Sequence, residues 1–109
     1  MDPDSPLLLY TTFPDEETAL SIGADLVGER LAACVNVLPG MRSVYRWREV
    51  VEQGREAVAI IKSREALRDA LAAALKQRHP YETPIILFLN PDGGDEATLA
   101  WLTASTNPG

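Results

Sequence analysis

Apolar residues recur along this chain with two different periods, and the switches between them outline its elements. Leu7-Leu8-Leu9-Tyr10-Thr11-Thr12 is an apolar, β-branched run bounded by Pro6 and Pro14, the pattern of a first strand. Pro14 stands where a helix begins, with Asp15, Glu16 and Glu17 in a first turn facing the positive end of the helix dipole. Leu20, Ala24, Val27 and Leu31 then recur at helical spacing, and Ile22 and Leu26 widen the stripe. A helix over about 14–31 is predicted, laying one broad face on a sheet. Ala33 to Leu38 opens a second strand, Pro39-Gly40 interrupts it, and alternation resumes from Met41 through Trp47. Proline within a strand is tolerated at a bulge or an edge, so these residues read as one long bent strand. After a turn near 48–51, a third strand ends in Ala57-Val58-Ala59-Ile60-Ile61-Lys62, apolar enough to be central in its sheet.

Ser63 is a good N-cap, and Leu67, Leu71 and Leu75 mark a second helix to about Arg78. His79-Pro80-Tyr81-Glu82-Thr83-Pro84 cannot be helix, because Pro80 biases His79 toward extended backbone. Residues 85–89 form a fourth strand, Asn90 to Asp95 a loop by composition, and about 95–104 a short third helix carrying Ala97, Ala100 and Trp101. The first five residues and those beyond about 105 read as tails of a single domain, 1–109. The order β-α-β-β-α-β plus a terminal helix is the ferredoxin-like, split βαβ pattern of the α+β class. Right-handed crossovers put both long helices on one face of a four-stranded antiparallel sheet.

Composition changes this picture by exclusion. The 109 residues are 46% hydrophobic and 24% charged, an ordinary globular balance. A single cysteine, Cys34, excludes an intrachain disulfide framework and any site needing several thiolates from one chain. Ten Lys and Arg against 16 Asp and Glu give a net charge of −6, so the positive field of a nucleic-acid binder is missing. No apolar run approaches the ~20 residues of a membrane span. The acidic start lacks the basic region of a signal peptide. A cytoplasmic protein with neither nucleic acid nor membrane as partner is expected.

Strands two and three are each near 14 residues, which at ~3.3 Å per residue is roughly 45 Å. A chain of this length forms a body only roughly 35 Å across. The hairpin therefore overhangs, carrying Val44, Tyr45, Trp47, Val50 and Val51 with it. Burial against further copies of the chain is the simplest shelter for that apolar ribbon; the alternative is a tip that curls onto its own body.

Candidate chemistry is sparse. No GxSxG or GxxxxGK[ST] pattern occurs, and Gly93-Gly94 is a flexible connector. His79, the one histidine, reads either as a local packing residue or as a metal ligand. Cys34 reads either as a small buried hydrophobe or as the thiolate that would join His79 around copper. Two ligands leave such a site incomplete, so carboxylates, Met41, water or a symmetry copy would have to finish it. Arg42, Arg46 and Arg48 form a small basic row, either a solvated face or an anion site. Tyr45, Trp47, Tyr81 and Trp101 read as anchors in a core or an interface. If they converge, they line a cleft for a small ligand, with Lys62 and Glu82 as its polar groups.

Leu31-Ala32-Ala33-Cys34-Val35-Asn36, Ser43-Val44-Tyr45-Arg46-Trp47, Ile60-Ile61-Lys62 and above all His79-Pro80-Tyr81-Glu82-Thr83-Pro84 resemble the CutA divalent-cation tolerance family. The likeness is collinear from about Leu7 to Ser105. It implies a ferredoxin-like subunit in a tight homotrimer built on the long hairpins, similar in architecture to PII signalling proteins. It implies a cytoplasmic, non-enzymatic protein of metal-ion tolerance, with no obligatory cofactor and no catalytic residue, binding copper or another divalent cation. By position, Cys34 and His79 match residues implicated in copper binding. Tyr45, Trp47, Lys62, His79, Tyr81, Glu82 and Trp101 would line the cleft between subunits. The chain departs from the family twice. Thr11 stands about where some members carry a further cysteine, and Glu49 where many have a glycine in the hairpin turn. A second reading is a PII-like sensor or scaffold whose cleft binds a small anionic metabolite or a partner protein. A third, an enzyme using His79 and Glu82 as acid and base, rests on those two side chains alone.

Overall fold

The computed structural model describes residues 2–107. Its elements are β1 (Pro6–Phe13), α1 (Glu16–Gly28), β2 (Cys34–Trp47), β3 (Val50–Arg64), a 3-10 turn (Glu65–Leu67), α2 (Arg68–Arg78), β4 (Leu87–Leu89) and α3 (Glu96–Ser105). The strands pair antiparallel in the order β2-β3-β1-β4, so β3 and β1 are central. This is the four-stranded α+β arrangement expected from the element order.

Register decides which side chains form the core. Leu9 lies opposite Ile61, Thr11 opposite Ala59 and Phe13 opposite Ala57, while Val35 and Val37 face Ile61 and Ala59 from β2. Side chains alternate along a strand, so these residues share one face. Ala19, Ile22 and Leu26 of α1 and Leu71 and Leu75 of α2 pack onto that face as one cluster. The other face carries Leu8, Tyr10, Ile60, Leu38, Leu87 and Leu89, of which Leu38, Leu87 and Leu89 are 51%, 57% and 50% exposed.

The long hairpin extends past this body. The principal extents are 44 × 26 × 22 Å, and the radius of gyration is 14.5 Å, against about 13 Å for a compact chain of this length. Pro39 and Gly40 form the expected irregularity: register shifts between Leu38 and Met41, and Gly40 supplies a φ of +75°. The turn is tighter than the sequence suggests, only Arg48 and Glu49, both left-handed at φ +49° and +70°. Positive φ at both central residues is the hairpin geometry whose twist matches the strands it joins.

Other boundaries move for identifiable reasons. Asp15, not Pro14, opens α1: its backbone is extended and its carboxylate accepts the Thr18 N–H at 2.7 Å, which holds its pKa below the usual carboxylate range. The helix ends at Gly28, and Arg30, at φ +60°, turns the chain toward β2. Its buried face is Ala19, Ile22, Gly23 and Leu26, while Leu20 and Val27 of the predicted stripe point outward. Gly23 explains the rotation, because a Cβ there would lie 3.1 Å from Val35, so the helix sits close against β2. Ser63 is no helix cap. It pairs with Leu7 in the sheet and donates its hydroxyl to the Leu31 carbonyl at 2.8 Å, so β3 runs on to Arg64 and α2 starts later. On α3, Asp95 caps Ala97 and Leu102 is the buried residue, leaving Ala97, Ala100 and Trp101 outward. The fourth strand is only Leu87–Leu89. Continuing its register would set residue 85 opposite Thr12, whose carbonyl is already taken by His79.

Candidate functional site

The densest polar arrangement lies where β1 ends, the hairpin leaves the body and the segment after α2 passes between them. His79 is at its centre and is buried. Its Nε2 lies 2.7 Å from the Thr12 carbonyl and its Nδ1 3.1 Å from the Tyr81 backbone N–H. A carbonyl can only accept and a backbone N–H can only donate, so Nε2 carries the proton and Nδ1 presents its lone pair. The ring is a neutral imidazole with both nitrogens engaged. Burial pushes its pKa below the ordinary histidine value, outweighing the Thr12 carbonyl and the Glu56 charge, which act the other way. The Phe13 ring stacks on it at 4.5 Å and 13°, and the Tyr81 ring tilts against it at 4.9 Å.

From Tyr81 the chain of contacts continues to the hairpin. The Tyr81 hydroxyl donates to Glu56 Oε2 at 2.7 Å, and Ser43 donates to Oε1 at 2.7 Å. Burial raises the pKa of Glu56, but hydrogen bonds from Tyr81, Ser43 and Thr12 outweigh that and leave it below the usual range, an ionised hub. Burial, and then the hydrogen bond to Glu56 and its charge, drive the Tyr81 phenol well above its ordinary value. Tyr45 lies on the same face, and loss of water around it together with Glu52 and Glu56 raises its pKa as well. At the hairpin tip Arg48 lies over the Trp47 ring and pairs with Glu82 at 3.0 Å, an exposed contact of small energetic weight. Residues 79–84 thus hold the hairpin at its root through Tyr81 and at its tip through Glu82.

Within one subunit the predicted cleft is only partly assembled. Tyr45, Trp47, His79, Tyr81 and Glu82 gather along this seam. Lys62 does not join them: it sits opposite Cys34 on β2 and Leu8 on β1, near the other end of the sheet. Trp101 lies on α3, whose C-terminal end is tied to Arg64 through Thr106 at 2.8 Å. The arginine row is likewise divided. Arg42 faces Arg55 across the hairpin, and Arg48 turns toward Glu82. Beneath the 79–84 segment, Ala72, Lys76, Thr83, Ile86 and Phe88 line an open groove of about 520 Å³ with Tyr81 and Glu82.

Cys34 and His79 are not brought together within one chain. Cys34 shares a face with Lys62 and Leu8, whereas His79 meets β1 at Thr11, Thr12 and Phe13. Four residues of strand from Leu8 to Thr12 already separate them by about 13 Å. The residue that does approach the imidazole is Thr11, whose Oγ1 is 3.4 Å from Nε2. At Thr11, where a polar side chain of β1 meets His79, the donor is a hydroxyl and not a soft thiol. Among the described residues no three His, Cys, Asp or Glu side chains converge as a metal site. The residues of one subunit do not fit copper. Sequence reasoning missed Glu56 and Ser43; the signal was a glutamate entering an otherwise apolar strand on a face shared with Thr12.

The sequence and the fold have counterparts. Residues 7–105 match the family described as CutA1 divalent ion tolerance protein. The Divalent-cation tolerance protein CutA of Pectobacterium atrosepticum is 44% identical over 106 residues, covering 94% of this chain and 96% of its own. The crystal structure of CutA1 from Oryza sativa superposes with a TM-score of 0.91 at 38% identity, covering 96% of both chains. A structure titled periplasmic divalent cation tolerance protein CutA, from Archaeoglobus fulgidus, gives 0.90 at 29% identity, covering 94% of this chain and 99% of its own. This chain belongs to the CutA1 divalent ion tolerance protein family.

Proposed function

We propose that the chain works as a homotrimer in the cell's response to divalent metal ions, in the cytoplasm. The observation that carries the assembly is the unsheltered apolar surface: an overhanging hairpin with Val50 open on the sheet face on which Leu38, Leu87 and Leu89 are half exposed, and with Val44 and Val51 open on the opposite face. A monomer gains nothing from that surface, and burying it between copies removes it from water. Edge strands β2 and β4 also leave backbone groups free for pairing with another copy. The metal-ion role follows from the family. No helix among the described residues is long and apolar enough to cross a membrane. Copper, where taken up, rests on the Cys34 thiolate with its remaining donors from a second subunit, because among the described residues Cys34 belongs to no group of three His, Cys, Asp or Glu side chains.

Light scattering at micromolar subunit concentration tests the assembly, with a mass three times that of the chain expected; a monomer overturns it. Calorimetric titration of Cu(II) into the protein and into Cys34→Ala tests the thiolate. Loss of the binding heat in the variant is expected, and superimposable isotherms reject Cys34.

A further inference from the structure

We propose that His79 is a positioning residue and not a metal ligand: its imidazole is a two-sided strut between the end of β1 and the 79–84 segment, and it sets Tyr81 where the phenol reaches Glu56 at the hairpin root. The inference deepens the trimer reading, because the hairpin is the element that reading places between subunits.

A metal needs a ring nitrogen with a free lone pair. Nε2 has none, since it carries the proton donated to Thr12 at 2.7 Å, and the lone pair of Nδ1 is spent on the Tyr81 N–H at 3.1 Å. Ligation through either atom would break a buried hydrogen bond and leave a backbone group unpaired. Rotation of the ring is opposed by Phe13, stacked at 4.5 Å. The neighbours are also wrong for copper: a threonine hydroxyl, a phenylalanine face and a phenol, with the one cysteine at the other end of the sheet. Meanwhile every contact of the ring points to a structural task. It fastens the Thr12 carbonyl near the end of β1, and it fixes the backbone of Tyr81, whose hydroxyl then meets Glu56 at 2.7 Å. Glu56 in turn holds Ser43 of the opposite strand at 2.7 Å, so both strands of the hairpin are gripped at their root.

The bond from Nδ1 to the N–H two residues on has the form of an Asx turn, which separates the two roles by substitution. Asparagine at this position can accept the same N–H through its side-chain oxygen but offers a poor copper ligand. Leucine can do neither. His79→Asn is therefore expected to retain the amide protection of Tyr81 in hydrogen exchange, whereas His79→Leu loses about tenfold, the scale of one hydrogen bond. Copper stoichiometry per subunit, from Cu(II) titration, is expected to be the same in wild type and both variants. In ¹⁵N-labelled wild type, the imidazole nitrogens should report the Nε2-protonated neutral tautomer, and adding Zn(II) should leave both resonances in place. A shift of either nitrogen on adding Zn(II), or loss of one copper ion per subunit in both variants alike, overturns the proposal. So does equal Tyr81 protection in the leucine variant and wild type. A monomeric protein, or one with no copper heat at all, defeats the trimer or the copper reading, while the tautomer and exchange results still decide the role of His79.

Discussion

Trp47→Glu should take the proposed trimer apart without unfolding the subunit. Trp47 is 38% exposed in the single chain. For a side chain that can bury up to about 250 Å², that leaves about 95 Å² for a neighbouring copy to cover. At ~25 cal/mol per Å² the covered area contributes about 2.4 kcal/mol per subunit. Three equivalent seams give about 7 kcal/mol per trimer, and at ~1.4 kcal/mol per decade the dissociation constant should rise roughly 10⁵-fold. Placing an ionised carboxylate in the seam adds to that, since a charge resists loss of its water. The monomer should tolerate the change, because the new carboxylate lies beside Arg48, which already sits over this position at 5.2 Å. The measurement is light scattering across a dilution series from tens of micromolar to below one, with circular dichroism as a check on folding and Gln77→Glu on the exposed part of α2 as control. A folded trimer that persists through the whole series in the Trp47 variant would refute the placement of this ring in the seam.

Tyr81→Phe removes a hydrogen bond to an ionised, half-buried carboxylate; such bonds contribute about 1.5–3 kcal/mol, so denaturant unfolding at fixed protein concentration should show a loss in that range, and a change under ~0.5 kcal/mol would contradict the Glu56 hub. Glu49→Gly should stabilise by about 0.5–1 kcal/mol, since Glu49 holds φ +70° and glycine adopts that conformation without strain; a lower midpoint would mean that the side chain supports the turn. The pH dependence follows from the one histidine. The folded state holds His79 neutral with its pKa depressed, while the unfolded chain takes up a proton near pH 6.5. The stability of the neutral ring is thus complete above about pH 6.5 and declines as pH drops below it toward the folded-state value. Glu56, depressed in the folded state, adds its loss only further into acid. A flat stability profile between pH 7 and 5.5, or an unchanged slope there in His79→Asn, would show that the ring is not buried as a neutral base.

Much of the fold was legible because local pattern separates its elements: apolar runs in β1 and β3, alternation in β2 from Met41 to Trp47, helical spacing in α1 and α2, and the break at Pro39-Gly40. What failed was the choice of face and cap, and both failures have tertiary causes. Nothing local announces that Gly23 lets α1 lie on Val35, which turns Leu20 outward. Nor does anything local announce that Ser63 has a carbonyl of Leu31 to bond instead of its own helix. Asp15 could have been preferred to Pro14, because an aspartate three residues before Thr18 is a better cap than a proline that has no side-chain acceptor.

The site was legible as a set of residue types and not as a geometry. Cys34 and His79 are the one cysteine and the one histidine of the chain, and by chemistry alone they belong together. Strand register says otherwise: one is anchored opposite Lys62 and Leu8, the other at Thr12 and Phe13. The position that decides the matter is Thr11. Its side chain enters the helix-covered face one residue before the carbonyl that His79 grips, so a thiol there would touch the imidazole, and a hydroxyl leaves the ring to hydrogen bonding. Replacing one buried atom type at the end of β1 thus separates a place where metal chemistry could be built from one where the same histidine serves only to aim a tyrosine at Glu56.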